Sequence, residues 1–107
     1  MSTVPSYAGF GTVNIDVAGT QEPLSTTSIP SFEVIVTAVS GNAGNVFVGD
    51  STVSSTTGIV LAAGDSVTVP IDDVAKLWVD SAQNNDDVSF FYTAPYAPNV
   101  VSPLYAG

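Results

Sequence analysis

Apolar and polar residues alternate with a period of two through most of this chain. In residues 12–17, three apolar residues share one side, and the residues between them are polar: Val13, Ile15 and Val17. Successive side chains of a β-strand point to opposite faces, so this period indicates a strand that buries one face. Nowhere do apolar residues recur at helical spacing for three turns, and residues 72–75 offer one helical turn at most.

About seven short segments share this pattern, and clusters of Gly, Asn, Pro and Asp separate them. The segments are residues 12–17, 32–39, 46–48, 59–61, 66–71, 76–80 and 88–92. Turn signals at intervals of about 8–12 residues are typical of β-sandwiches and barrels, and the intervals are too short for helical crossovers. The sequence therefore predicts an all-β protein, an antiparallel β-sandwich or jelly-roll-like barrel of about seven short strands.

Several apolar residues fall on the side opposite to the predicted core. If Phe32, Val34 and Val36 point inward, Ile35 and Val39 point away from the core. Two explanations for such residues stay open. They are buried against another polypeptide chain, or they are covered within this chain, either by its own termini or in a strand that is buried on both faces.

Two later strands repeat this arrangement. If Leu77 and Val79 point inward, Trp78 lies on the same side of its strand as Lys76 and Asp80. Inward Val88, Phe90 and Tyr92 likewise place Phe91 on the outside. We predict that another chain shields at least two of the outward apolar residues, namely Ile35, Val39, Trp78 and Phe91.

The two ends of the chain lack the alternation. We predict an N-terminal arm in residues 1–10, a β-sandwich domain in residues 11–93, and a C-terminal arm in residues 94–107. The second arm is rich in proline, which cannot pair within the middle of a sheet. Since disordered tails are normally poor in aromatic residues, we expect Tyr96 and Tyr105 to pack on a neighbouring subunit. Frayed termini are the alternative.

Length and charge narrow the possible partners. The 107 residues fit one domain, and only 10% of them are charged against 45% that are hydrophobic. Ten acidic residues face a single cation, Lys76, which gives a formal net charge of −9. Because phosphate recognition depends on Arg and Lys, we expect no binding to nucleic acid, and an anionic membrane repels such a chain.

The residue inventory removes most catalytic chemistry. The chain has no His and no Cys, so imidazole-dependent triads, imidazole-ligated metals and thiolate nucleophiles are impossible. The doublets Asp72-Asp73 and Asp86-Asp87 are the remaining candidates, but neighbouring strand residues point to opposite faces. Residues 84–87 read as a polar hairpin turn, and residues 41–44 as another turn. We therefore expect no enzymatic activity, cofactor or metal.

The first residues, Met1-Ser2-Thr3-Val4-Pro5, lack the basic region and apolar run of a secretion signal. No stretch approaches the roughly 20 apolar residues that span a bilayer. We therefore expect synthesis in a cytoplasm, without insertion into a membrane.

Part of the chain resembles small structural proteins of tailed bacteriophages. The resemblance covers residues 45–93 and consists of strand and turn residues: Val46-Phe47-Val48-Gly49-Asp50, then Gly58-Ile59-Val60-Leu61-Ala62-Ala63-Gly64, then Leu77-Trp78-Val79, then Val88-Ser89-Phe90-Phe91-Tyr92. It implies a β-sandwich module of a virion without catalytic residues. A capsid cement (decoration) protein fits the small size, the acidity and the aromatic arms, and proteins of that kind often form trimers on the outer capsid surface.

These observations lead to a functional hypothesis. The chain is predicted to be a cement protein, made in the host cytoplasm, that associates with itself and with the major capsid protein on the outside of the phage head. The alternatives within the virion are a tail, connector or head-fibre component. An alternative of another class is a carbohydrate-binding module in which Trp78, Tyr92 or Tyr96 stacks on a sugar.

Overall fold

A computed structural model describes residues 7–94 of the chain. Within them the backbone forms eight β-strands and one short 3-10 turn, Val74–Lys76. The strands are β1 (Tyr7–Ile15), β2 (Glu22–Pro23), β3 (Glu33–Ala38), β4 (Val46–Gly49), β5 (Ile59–Leu61), β6 (Ser66–Pro70), β7 (Trp78–Ser81) and β8 (Asp86–Ala94). In this part of the chain no helix is long and apolar enough to cross a membrane.

The eight strands form two antiparallel sheets of four. The long sheet has the order β1-β8-β3-β6, and the short sheet has the order β2-β7-β4-β5. The predicted antiparallel all-β fold is therefore confirmed. The strand missing from the prediction is β2, whose two residues, Glu22 and Pro23, are too few to show any alternation.

The pairing of the strands is nested along the chain. Strand β1 pairs with β8, β2 with β7, β3 with β6, and β4 with β5. Two further pairings, β3 with β8 and β4 with β7, complete the sheets. The chain is thus one long antiparallel hairpin rolled into two sheets, which is the eight-stranded jelly roll. The two sheets make the protein a β-sandwich, as predicted, and the strand order is that of a jelly roll.

The core lies between the two sheets and consists of the inward-facing residues that alternate along their strands. On the long sheet, Val34 and Val36 of β3 and Val88 of β8 are completely buried, as the alternation predicts. Strand β4 is apolar throughout because Val46, Phe47 and Val48 are all buried. Two residues assigned to core faces are exposed instead. Phe32 precedes β3, and Val17 lies beyond the end of β1, so neither strand holds its side chain inward.

The boundaries of the domain differ from the prediction. Strand β1 begins at Tyr7, so residues 7–10 belong to the sheet and not to an N-terminal arm. Strand β8 continues to Ala94, one residue beyond the predicted end of the domain. The remaining residues of both predicted arms, 1–6 and 95–107, lie outside the described residues.

The predicted hairpin at residues 84–87 is also corrected. Strand β7 belongs to the short sheet and β8 to the long sheet, so this segment crosses between sheets. The crossing is fixed by the buried carboxylate of Asp86, which accepts hydrogen bonds from the backbone N–H groups of Ala43 and Gly44 at 2.9 Å each. The acidic side chain therefore fastens the turn at residues 41–44 to the start of β8.

Candidate protein-binding surface

A row of three apolar side chains crosses the outer face of the long sheet. In the strand register Phe10 of β1 lies opposite Phe91 of β8, and Phe91 lies opposite Ile35 of β3. Residues directly opposite each other on antiparallel strands have Cβ atoms about 4.5–5.5 Å apart, so the three side chains are neighbours. Phe10 is 82% exposed and Phe91 is 44% exposed, whereas Ile35 is half-buried. We call these three residues the aromatic row.

The rows on either side of the aromatic row carry very little charge. One is made of hydroxyl side chains, which follow the register across all four strands: Thr12, Ser89, Thr37 and Ser66. A hydrogen bond of 2.7 Å joins the Thr37 and Ser66 hydroxyls. The row on the other side is Ala8, Thr93, Glu33 and Pro70. This face therefore presents a broad apolar and hydroxyl surface on a strongly acidic chain.

Two glycines of β1 explain why Phe10 points outward. Gly9 and Gly11 flank Phe10 and lie on the inner face, where the rings of Tyr92 and Phe90 cover them. A Cβ atom at Gly9 would overlap Cζ of Tyr92, so only glycine fits under that ring. Aromatic rings of a neighbouring strand thus fill the inner side of β1. The large side chain of this segment, Phe10, is left on the outer face.

The structure brings together only part of the predicted interface. Ile35 and Phe91 lie opposite each other on the outer face of the long sheet, and Phe10, which the sequence assigned to an arm, joins them. Trp78 lies on β7 of the other sheet and is half-buried. Val39 is half-buried just beyond β3, where its backbone N–H donates to the Asp87 carbonyl. Tyr96 and Tyr105 lie outside the described residues.

The chain itself covers part of the outer side of β7. Asp80, predicted to point outward with Trp78, is 2% exposed. Its carboxylate accepts a hydrogen bond of 2.9 Å from the backbone N–H of Gly19, in the loop between β1 and β2. Of the two explanations for outward residues, coverage within the chain therefore applies at Asp80. Among residues 7–94, no such coverage reaches Phe10 and Phe91, which are exposed.

Trp78 and Tyr92, two of the residues proposed to stack on sugars, lie on different sheets. Tyr92 is 5% exposed and packs beside Phe90, with ring centroids 6.3 Å apart. Burial, and secondarily the neighbouring Tyr7, raise the pKa of the Tyr92 hydroxyl above its ordinary value. Trp78 is half-buried on the opposite sheet. Tyr92 is therefore a core residue and not a stacking platform.

Several carboxylates are engaged in holding the backbone. Asp73 accepts hydrogen bonds from the Ile29 and Ala75 backbone N–H groups, each at 2.9 Å, and from the Ser28 hydroxyl. Burial alone would raise the pKa of Asp73, but these hydrogen bonds outweigh it and lower the pKa below the usual 3.8. Asp73 thereby caps the 3-10 turn, the single helical turn expected in this region.

The charged groups near this turn lie at the surface. Lys76 forms an exposed ion pair of 2.9 Å with Asp72, which raises the pKa of the lysine. Hydrogen bonds from the hydroxyl and then the backbone N–H of Thr52 lower the pKa of exposed Asp50. Within residues 7–94 no three His, Cys, Asp or Glu side chains gather as a metal site. The carboxylates described here have structural roles.

No protein-family model matches this chain, and no curated protein matches it either.

Proposed function

We propose that this chain is a non-enzymatic structural protein that binds other proteins through the outer face of its long sheet. The observation that carries the proposal is the aromatic row, in which Phe10 and Phe91 stand exposed on a face of low charge. Exposed aromatic residues in a region poor in charge are typical of the centres of protein interfaces.

The proposed setting is the outer surface of a tailed bacteriophage head, where the chain acts as a cement protein. The resemblance of residues 45–93 to phage structural proteins supports this setting, and so does the jelly roll, an architecture found in viral capsid proteins. The fold is an argument by analogy, since one fold serves many functions. The net charge of −9 favours a position outside the shell, away from packaged DNA.

Cementing requires no chemistry at the surface. A subunit that binds the assembled shell, but not its separate components, stabilises the assembled state relative to those components by its binding free energy. The partners in this proposal are the major capsid protein and further copies of the chain. The tail, connector and head-fibre alternatives use the same kind of protein contact and differ in their position in the particle.

The proposal is tested by measuring the binding of purified chain to mature phage heads and to tails. Phe91→Ser removes the centre of the aromatic row, and we expect its affinity for heads to fall at least about tenfold, the effect of an interface hot spot. The matched control is Phe32→Ser, because Phe32 is 39% exposed but lies outside the row. We expect this control to bind like the unchanged chain.

Thermal melts of both variants separate folding from binding. Equal losses of stability and of affinity for Phe91→Ser would place Phe91 among the residues that hold the subunit together, and the interface proposal would fail. Binding to tails but not to heads would replace the cement role with a tail role. Binding to neither particle would remove the phage setting.

A further inference from the structure

The four sheet edges of this molecule are unequally protected. Natural proteins block exposed edges with short strands, charges or proline, because unpaired backbone groups invite another strand. Strand β2 has two residues, one of them Pro23, and β5 has three residues. Strand β6 has five residues and ends at Pro70. Strand β1 has nine residues and contains neither a charged residue nor a proline. Among residues 7–94, it is the one sheet edge without such protection.

The hydrogen bonds of the long sheet show which residues of β1 face outward. The Thr93 carbonyl of β8 accepts from the Phe32 N–H, on the β3 side. Backbone groups alternate in direction along a strand, so Tyr92 and Phe90 direct theirs toward β1. Gly9 and Gly11 lie opposite Tyr92 and Phe90 and direct their own N–H and C=O groups back toward β8. By the same alternation, the even-numbered residues of β1 direct their N–H and C=O groups to the open edge: Ala8, Phe10, Thr12 and Asn14.

We propose that this edge pairs with the same edge of a second copy of the chain. The strands run antiparallel about a two-fold axis at Gly11, so that Phe10 lies opposite Thr12 and Ala8 lies opposite Asn14. This register pairs every outward residue of both strands. The two long sheets become one continuous sheet of eight strands, with the order β6-β3-β8-β1-β1-β8-β3-β6.

A second copy fits this edge because the strand is complementary to itself. Phe10 lies diagonally across from Phe10 of the second copy, a separation of about 7–8 Å that aromatic side chains can bridge. The two aromatic rows then adjoin on one face. The strand carries no charge, so the net charge of −9 places no like charges within the paired strands.

The number of copies follows from the number of unprotected edges. Each long sheet has one such edge, because its other edge strand, β6, is protected by proline. At Pro70 the backbone N–H would face the open side of β6, and proline has none. A two-fold contact between identical edges closes at two subunits and does not propagate into a fibre. The proposal therefore departs from the trimer that the phage resemblance implied. It does not depend on binding to a capsid.

The test is the mass of the full chain in solution, measured by sedimentation over a range of concentrations. We expect a dimer of about twice the 10.9 kDa chain mass. Thr12→Pro removes an N–H that faces the open edge and leaves the bonds to β8 intact, so this variant is expected to be a monomer. Circular dichroism verifies that the variant keeps its β-structure.

The chain offers a closely matched control at Thr68. Like Thr12, it is an exposed threonine on an edge strand of the long sheet, with its side chain on the outer face. The Ala38 N–H donates to the Asp65 carbonyl, and the Ala38 carbonyl accepts from the Gly64 N–H. Backbone groups alternate in direction along a strand, so Val67 and Val69 also direct their N–H and C=O groups toward β3. The N–H of Thr68 therefore points to the open side. Thr68→Pro is expected to remain a dimer.

A cysteine cross-link tests the contact without proline. The chain contains no Cys. In the proposed register the Cα atoms of positions 10 and 12 in opposite copies are about 5.5 Å apart, which suits a disulfide. A mixture of Phe10→Cys and Thr12→Cys chains should form a mixed disulfide under mild oxidation. A mixture of Phe10→Cys and Thr68→Cys chains should not.

Several results would overturn the proposal. A monomer at every concentration means that solvent or another part of the chain occupies the edge. A trimer, or a dimer that Thr12→Pro leaves intact, places self-association elsewhere. If Thr12→Pro fails to fold, the cysteine mixtures decide, and absence of the mixed disulfide rejects the pairing. If the chain forms the dimer but does not bind capsids, the proposed function is rejected and the edge pairing stands.

Discussion

Gly11 is the position where a single methyl group should disturb the packing between β1 and β8. A Cβ atom there would lie 2.7 Å from Cζ and 3.0 Å from Cε1 of Phe90. Ordinary contact begins at 3.4 Å, so the ring would have to move by about 0.7 Å. Phe90 is 8% exposed and stacks beside Tyr92, which leaves its ring little room. Gly11→Ala should therefore strain the core.

The expected loss follows from two opposing effects. Overpacking a well-filled core typically costs about 1–3 kcal/mol. Replacing glycine by alanine also restricts the unfolded chain, which stabilises the fold by roughly 0.4–1 kcal/mol. We therefore expect Gly11→Ala to lower the free energy of unfolding by about 0.5–2 kcal/mol. For a domain of this size the midpoint temperature falls by roughly 4–8 °C for each kcal/mol.

Urea denaturation of four variants measures this effect and its cause. Gly41→Ala is the control, because no atom lies within 4 Å of the added Cβ and the backbone is not in the left-handed region. We expect its stability to change by less than about 0.5 kcal/mol. Phe90→Leu removes the far end of the ring, and combining it with Gly11→Ala should recover at least about 0.5 kcal/mol relative to the sum of the single changes. Additive losses, or equal losses at both glycines, would refute the steric argument.

Two carboxylates give further predictions. Because the pKa of Asp73 is lowered in the fold, its contribution is present above about pH 4 and is lost as the pH falls through the folded value. Melts from pH 7 to pH 2 should show a weaker acid dependence for Asp73→Asn, and a lower stability at pH 7 by about 1 kcal/mol, because a neutral acceptor replaces a charged one; an unchanged dependence would contradict this. Asp86→Ala should cost roughly 2–3 kcal/mol in urea denaturation, because Ala43 and Gly44 lose a charged acceptor. Asp87→Ala is its control and should cost less, since that carboxylate accepts an exposed hydrogen bond from an asparagine side chain.

The sequence predicted correctly those strands whose own residues alternate regularly between apolar and polar. Strands β3 and β8 alternate regularly, so their inward faces, and the outward positions of Ile35 and Phe91, followed from period two. Strand β1 was assigned too late a start, because Gly9 and Gly11 stand where apolar residues were expected. Rings from β8 fill that space, and one strand's own sequence does not show what its neighbour supplies.

The candidate surface was incomplete for the same reason. Phe10 belongs to the aromatic row only because β1 lies beside β8, a pairing between residues far apart in the chain. The segment at residues 84–87 has the composition of a hairpin turn, yet it joins two sheets, since local turn chemistry does not determine which strands pair. Asp86 also had no visible partner in the sequence, because its acceptor role depends on the turn at residues 41–44.

The nested pairing has a consequence for the order in which the chain is assembled on the ribosome. Strands β4 and β5 are close in sequence and can pair early, but Tyr7 finds its partner only at Ala94. Pairing between residues so far apart is slow, because a long loop must close before its contacts form. Among the described strands, β1 is therefore translated first and is one of the last to be paired. Throughout synthesis β1 has both edges open, and a chaperone or a second nascent chain encounters it in that state.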